Sequence, residues 1–359
     1  MKRGLRMMRK FFIGIIACFG LLTLFGCQKK AQPTYLKTPY TQNEFVMGTT
    51  CTLTIYDKGK KSALKDGFDM IHHVDNEATL TRSGSVLDKI NDNAGVKPVK
   101  VPKDFMPLLE KAYYFSKNSN GSFDMAIGAV TNLWQIGLPG ARVPAQSEIN
   151  QALPLVNWRD VKLDPKNNTA YLTKKGMRLD FGGIAKGWVA DKVREVLRKD
   201  GVTSAIIDLG GNVVVMGHSP LGAKRDWHVG IQDPTAARGT AVGTIPESDE
   251  SIVTAGTYEQ YLISHGHKYI YLFDPKTGYP YDNNLASVTI VSKKSVDGDA
   301  LSNAAFDKGL KDGLQYMNAK NSQHIQAIFI TNDKKIYLTN GLKKQFIFDA
   351  DSGYHKGNF

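Results

Sequence analysis

Apolar positions along the chain switch between the two-residue period of a strand and the longer period of a helix. Ile184, Ala185, Trp188, Val189, Val193, Val196 and Leu197 recur at helical spacing, and Gly201 follows where a left-handed helix end needs a glycine. Ser62–Asn76 and Asp104–Asn118 repeat with the same period, and Ala300–Leu310 predicts a further helix. Phe45–Tyr56 alternates as a strand with Met47-Gly48-Thr49 inside it. Ser204–Asp208 and Val213–Met216 read as strands flanking Leu209-Gly210-Gly211-Asn212, and Ser287–Val291 as another. Ile325–Thr331, Lys335–Leu338 and Gln345–Phe348 predict a closing set of strands. Strands and helices mix without strict βαβ alternation, which predicts an α+β fold with mixed sheets and flanking helices. From Thr41 onward no linker or low-complexity segment divides the chain, so residues 41–359 are expected to form one domain.

The N-terminus has a different pattern. Lys2, Arg3, Arg6, Arg9 and Lys10 precede the apolar run Phe11–Leu22, and Leu24-Phe25-Gly26-Cys27 follows. Residues 1–26 therefore read as a secretory signal peptide. The small Gly26 before a cysteine is similar to a bacterial lipobox, which makes Cys27 the expected lipidation site and a lipid anchor on the outer face of the cell membrane the expected location. Residues 27–40 are polar with two prolines and read as a tether. Loss of the leader removes five positive charges, so the formal charge falls from +12 to +7. That excess suits phosphate-rich ligands, but no basic block interleaved with aromatics argues for nucleic acid. With Cys18 in the leader and Cys27 acylated, Cys51 has no partner for a disulfide.

Candidate chemistry concentrates at four places. In Arg178–Asp191, an acid (Asp180), a glycine pair (Gly182, Gly183) and a lysine (Lys186) sit where a buried strand-like piece enters a helix. Such an entry can cradle a phosphate, or it can be a tight turn beside a surface lysine. Gly121-Ser122-Phe123-Asp124 suits a ligand loop or a capping turn. Asp274-Pro275-Lys276-Thr277-Gly278 is a rigid loop or a decorated hairpin turn. Asp299 and Asn303, four apart at an expected helix start, offer two oxygen ligands on one face, or a cap followed by a solvated face. The histidines show no zinc spacing: His72-His73 and His265-Gly266-His267 lack companion cysteines or an HExxH pattern and read as surface or packing residues. Hydrolase-elbow, P-loop and dinucleotide-fold glycine patterns are missing from the sequence.

Taken in order, Met47-Gly48-Thr49, residues 121–134, 179–191, 206–217, 254–261, 273–280 and 299–306 resemble the ApbE family of FAD:protein FMN transferases, especially its Gram-positive surface lipoproteins. The resemblance implies Mg²⁺-dependent transfer of the FMN half of FAD to a threonine or serine of another protein, with release of AMP. It also implies an acceptor motif Asp-x-x-(Gly/Ser)-(Ala/Ser)-Thr on that partner. Asp75-Asn76-Glu77-Ala78-Thr79 is one residue short of this motif, so the flavin is expected to pass to a separate extracytoplasmic protein serving electron transfer. By the same resemblance Asp299, Asn303 and the Gly183 carbonyl would hold the metal. Asp180 and Lys186 would contact FAD, and Met47, Ser122, Phe123, Asp124 and Phe273 would lie near its flavin or adenosine parts.

Three positions depart from the family pattern. Asn303 stands where a threonine is usual, and Tyr271 stands where a catalytic histidine is usual. A phenol with an ordinary pKa of about 10 is a poor base at neutral pH, so Asp299 becomes the other candidate to activate the hydroxyl. The aromatic expected to line the flavin is missing from Leu80-Thr81-Arg82-Ser83.

Overall fold

A computed structural model describes residues 34–358, except Thr81, Leu221, Ala223 and Lys224. The leader, Cys27 and the first part of the tether lie outside the described residues. The architecture is α+β. A nine-stranded sheet takes its strands in chain order: Tyr35–Val46, Thr49–Asp57, Ala205–Leu209, Asn212–Met216, Ser251–Gly256, Leu285–Ser292, Gln326–Thr331, Lys335–Leu338 and His355–Lys356. Every neighbouring pair is antiparallel except the last, which is parallel. Helices Ala63–Ala78, Ala185–Lys199 and Ser295–Asp307 contribute to the main core on one face. A three-stranded sheet (Trp227–Gln232, Ala241–Glu247, Ile347–Phe348) contributes Trp227, Ile231, Val242 and Ile245 to a second core with Val215, Ile252 and Ile328. Burial on both faces explains why all eight residues of Leu285–Ser292 are inaccessible and show no alternation.

Three expectations change. The tether ends earlier than Tyr40, because Tyr35 already pairs with Asp57 and Tyr40 with Ile55. This is an edge strand, largely exposed and broken by an irregularity that contains Pro39, so backbone pairing is not announced by an apolar pattern. Phe45–Tyr56 is not one strand. Met47 and Gly48 both have positive φ (55° and 70°) and form the two-residue turn of a hairpin in which Val46 pairs with Thr49. The Gln345–Phe348 segment adds Ile347–Phe348 to the small sheet rather than to the main one.

The Ala185–Lys199 helix ends as its sequence suggests. Gly201 is left-handed (φ 78°), its N–H donates to Arg198 O, and the Val202 N–H donates to Leu197 O, closing a Schellman cap. The piece before this helix is not a strand: Arg178 makes a single bridge to Ile127, and Leu179–Phe181 belong to no ladder. The third core helix begins at Ser295, five residues before the expected Ala300, and stops at Asp307 before a separate helix Gly309–Asn318. Its start is hidden in the sequence because the cap comes from elsewhere. The Asp191 carboxylate accepts the N–H groups of Ser295 (3.0 Å) and Val296 (3.0 Å).

Candidate active site

The 185–199 and 295–307 helices cap each other. Asp191, on the first, satisfies the opening N–H groups of the second. Asp299, on the second, accepts the Gly187 N–H (2.9 Å) in the first turn of the first. The close approach depends on Gly187, where a Cβ would lie 2.4 Å from Ser295 O and 2.8 Å from Asp299 Cβ. One turn further, a Cβ at Gly183 would meet the Asn303 amide at 3.0 Å. Tertiary packing therefore brings Gly183, Asn303 and Asp299 together, although the last two lie more than a hundred residues beyond the first.

Asp299 lies deeper than expected. It is 4% exposed and one turn inside the helix, and it is absent from the walls of the adjoining cavities. It therefore lies behind the cavity walls, with Oδ2 accepting the Gly187 N–H. Burial raises its pKa; nearby Lys186, the Gly187 N–H and Asn212 oppose that rise. Asn303 lines the first cavity and donates its Nδ2 to the Asp299 carbonyl (2.9 Å), which leaves its Oδ1 as an acceptor. A desolvated carboxylate beside an amide oxygen and a glycine backbone is a hard-oxygen donor set that fits Mg²⁺, with waters or phosphate oxygens completing the shell.

Two cavities of about 620 and 860 Å³ meet here, sharing Asp180, Gly182, Gln260 and Tyr271 in their walls. The first also takes in Ser122, Phe123, Asp124, Thr131, Phe273, Gly183 and Asn303. The second takes in Met47, Thr49, Lys186, Asp208 and Arg238. Met47 is held in a left-handed conformation at the hairpin tip, a strained state for a side chain that faces a cavity. Phe273 packs on Trp134, with ring centroids 5.9 Å apart.

The diglycine corner is not an open nest of N–H groups. Asp180 Oδ1 accepts the Gly182 N–H (2.7 Å), and its Oδ2 accepts the Thr131 hydroxyl (2.6 Å). Phe181 O accepts the N–H groups of Ile184 and Ala185, and Asp299 takes that of Gly187. Asp180 thus shapes the corner while lining both cavities. The cationic group at the corner is Lys186, which forms no ion pair among the described residues.

Ser122 accepts a hydrogen bond from Lys308 Nζ (3.2 Å). Both Asp124 oxygens are occupied by backbone, from Ala126 N (2.9 Å) and Trp158 N (3.1 Å), so Asp124 chiefly holds its loop. Burial pushes its pKa up to about 6. Because the unfolded chain ionises at about 3.9, protonation favours the native state. Stability associated with Asp124 is therefore full below pH 4 and is lost as the pH rises through 6, by about 3 kcal/mol. Urea unfolding of the protein and of Asp124→Asn between pH 4 and 7 is expected to show their stability difference shifting by about 2 kcal/mol against the protein at pH 7. A constant difference would contradict it.

The 273–280 loop is a turn. Asp274 accepts from Lys276 N and the Thr277 hydroxyl, and the Lys276 side chain lines neither cavity. Tyr271 lines both, and burial drives its pKa further above the phenol range, with Glu259 and Asp299 adding to the shift. A phenol so hard to ionise is unsuited to take a proton. Tyr271→Phe is expected to keep the transfer rate within about threefold, because general-base catalysis typically contributes at least a hundredfold when present. A hundredfold loss would restore the phenol to the chemistry.

Sequence reasoning passed over Thr131, Gln260 and the Arg238–Glu259 pair (2.8 Å). Thr131 and Gln260 lie inside recognised segments, but nothing in their spacing marks a hydroxyl that orients an acid forty-nine residues away.

The sequence model of the ApbE family matches residues 47–329. The chain belongs to the ApbE family. An FAD:protein FMN transferase of Klebsiella pneumoniae is 34% identical over 315 residues, covering 88% of this chain and 96% of its own length. One of Treponema pallidum is 32% identical over 345 residues, covering 92% and 93%. The crystal structure of the ApbE protein of Thermotoga maritima superposes with a TM-score of 0.79 at 27% identity, covering 86% of this chain and 99% of that one. The two cavities and the Asp180–Gly182 wall they share thus belong to an ApbE domain.

Proposed function

We propose that this chain is an FAD:protein FMN transferase that moves the FMN half of FAD onto a threonine or serine of an extracytoplasmic acceptor carrying an Asp-x-x-(Gly/Ser)-(Ala/Ser)-Thr motif. The curated relatives that share its length carry that activity in their names. The observation that carries the reading is the pairing of two cavities across one corner. A dinucleotide has two bulky ends joined by a diphosphate, and here two chambers join at Asp180 and Gly182 beside Lys186, which has no ion pair among the described residues.

In this reading the acceptor hydroxyl oxygen forms a bond to the FMN phosphorus. The phosphorus–oxygen bond to AMP breaks, AMP departs with that electron pair, and the hydroxyl proton passes to solvent or to a phosphate oxygen. Lys186 offsets charge on the diphosphate and steers it to the corner. Asp180, fixed by Thr131 and Gly182, keeps the corner in shape. Gly182 and Gly183 let the phosphates approach the backbone without side-chain obstruction. Asp299, Asn303 and the Gly183 carbonyl would hold Mg²⁺, which when bound supplies further neutralisation of the diphosphate. We further place the enzyme on the outer membrane face, anchored through a lipid on Cys27.

The test is incubation of the chain with FAD, Mg²⁺ and a protein bearing the acceptor motif, followed by in-gel flavin fluorescence and the mass of the acceptor. The expected result is one FMN per motif, lost with EDTA and restored by Mg²⁺. Free FMN with unlabelled acceptor would mean a hydrolase, and unchanged FAD would mean a binding protein.

A further inference from the structure

Away from the flavin cavities, two side chains on one helix meet a third from a later segment. His73 and Glu77 stand one turn apart on the 63–78 helix, and Asp104 lies just ahead of the Met106–Asn118 helix. His73 Nε2 is 2.9 Å from Asp104 Oδ2 and 3.7 Å from Glu77 Oε2, and the three ligand atoms lie within 4.8 Å of one another. The Glu77 side chain is only 13% exposed, yet its carboxylate accepts no hydrogen bond from any described group. Withdrawn from water and paired only loosely with His73 at 3.7 Å, this acid gains from a cation brought close to it. The His73 and Asp104 side chains are 49% and 64% exposed, so an ion could reach the group.

The three residues border a separate cavity of about 380 Å³, walled by Met70, Val74, Phe105 and Trp188 and sharing no residue with the flavin cavities. Two cations also face it. Lys192 is engaged by Glu195 (2.9 Å) and by the Trp188 ring, and Lys199 lies along the same wall.

We propose that His73, Glu77 and Asp104 form a binding site for one divalent transition-metal ion of the zinc class, distinct from the diglycine corner. An imidazole with two carboxylates suits Zn²⁺, Co²⁺ or Ni²⁺, whereas Mg²⁺ favours all-oxygen shells. Bonds of about 2.0–2.2 Å in a tetrahedron place ligand atoms about 3.3 Å apart. The two His73 separations, 2.9 and 3.7 Å, bracket that value, and all three atoms lie within 4.8 Å of one another. Three protein ligands leave one position for water. The ion would tie the 63–78 helix to the lead-in of the 106–118 helix.

Co²⁺ titration of the chelator-stripped full chain, in excess Mg²⁺, tests this through the visible absorption of tetrahedral cobalt, with Zn²⁺ calorimetry giving affinity. One equivalent is expected to bind, with at least about tenfold weaker binding in His73→Ala and in Glu77→Gln and unchanged binding in Asn303→Ala. All three positions are at least partly exposed, so the variants are expected to fold. No visible band, a thiolate-to-metal charge-transfer band, indifference to both triad substitutions, or loss in Asn303→Ala would each overturn the assignment.

Discussion

Asp299→Ala is expected to lower FMN transfer by about a thousandfold, some 4 kcal/mol of transition-state stabilisation, while FAD binding survives in part. The carboxylate is the deepest charge beneath the corner, and its removal takes the one acidic oxygen donor from the set it forms with Asn303 and Gly183. It also leaves the Gly187 N–H without its acceptor, an N-cap loss of about 1 kcal/mol. Asp299→Asn separates the two effects. An amide oxygen still accepts from Gly187, so the asparagine variant should melt close to the unmodified protein yet transfer as poorly as the alanine variant. Initial rates with a motif-bearing acceptor, alongside thermal melts, decide the matter. Full activity in Asp299→Ala would remove this residue from the metal site.

Asp191→Ala is expected to produce the largest loss of stability, about 4 kcal/mol, from the uncompensated buried charge and the lost cap. Its carboxylate neutralises Arg194, whose side chain is 9% exposed, and accepts the two opening N–H groups of the 295–307 helix. Alanine leaves a buried guanidinium unpaired and that helix start uncapped. The same substitution should also impair transfer in protein that remains folded, because the 295–307 helix carries Asp299 and Asn303. Urea unfolding measures the first effect, and transfer rates at low temperature measure the second. A double change, Asp191→Ala with Arg194→Met, should recover part of the stability, since it removes the stranded charge. A single variant as stable as the parent would show that the reciprocal caps are dispensable.

Legibility tracked locality. Gly201 and the 185–199 helix could be read directly, because a Schellman cap and an amphipathic stripe are written within a few residues. The 295–307 helix could not be read to its true start. Ten of its thirteen residues are buried, so it shows little amphipathic contrast, and its cap is a carboxylate more than a hundred residues earlier. The 35–46 edge strand resembled a tether because it pairs through its backbone and buries only one of its twelve residues. Glycines 182 and 183 were visible as a flexible corner, but the contact of Gly183 with Asn303 and that of Gly187 with Asp299 were not.

By itself, the chain's order of residues settled the fold class, the family and the residue types available for phosphate and cation chemistry. Periodicity and short motifs are local, and they survive without knowledge of what packs where. Only the tertiary structure decided that Asp180 shapes the corner, that Asp124 is spent on backbone donors, and that Asp299 sits beneath the cavity wall. Only it could bring His73 and Glu77 to Asp104. Each of these depends on burial and on partners from distant segments, and those are properties of the packed chain.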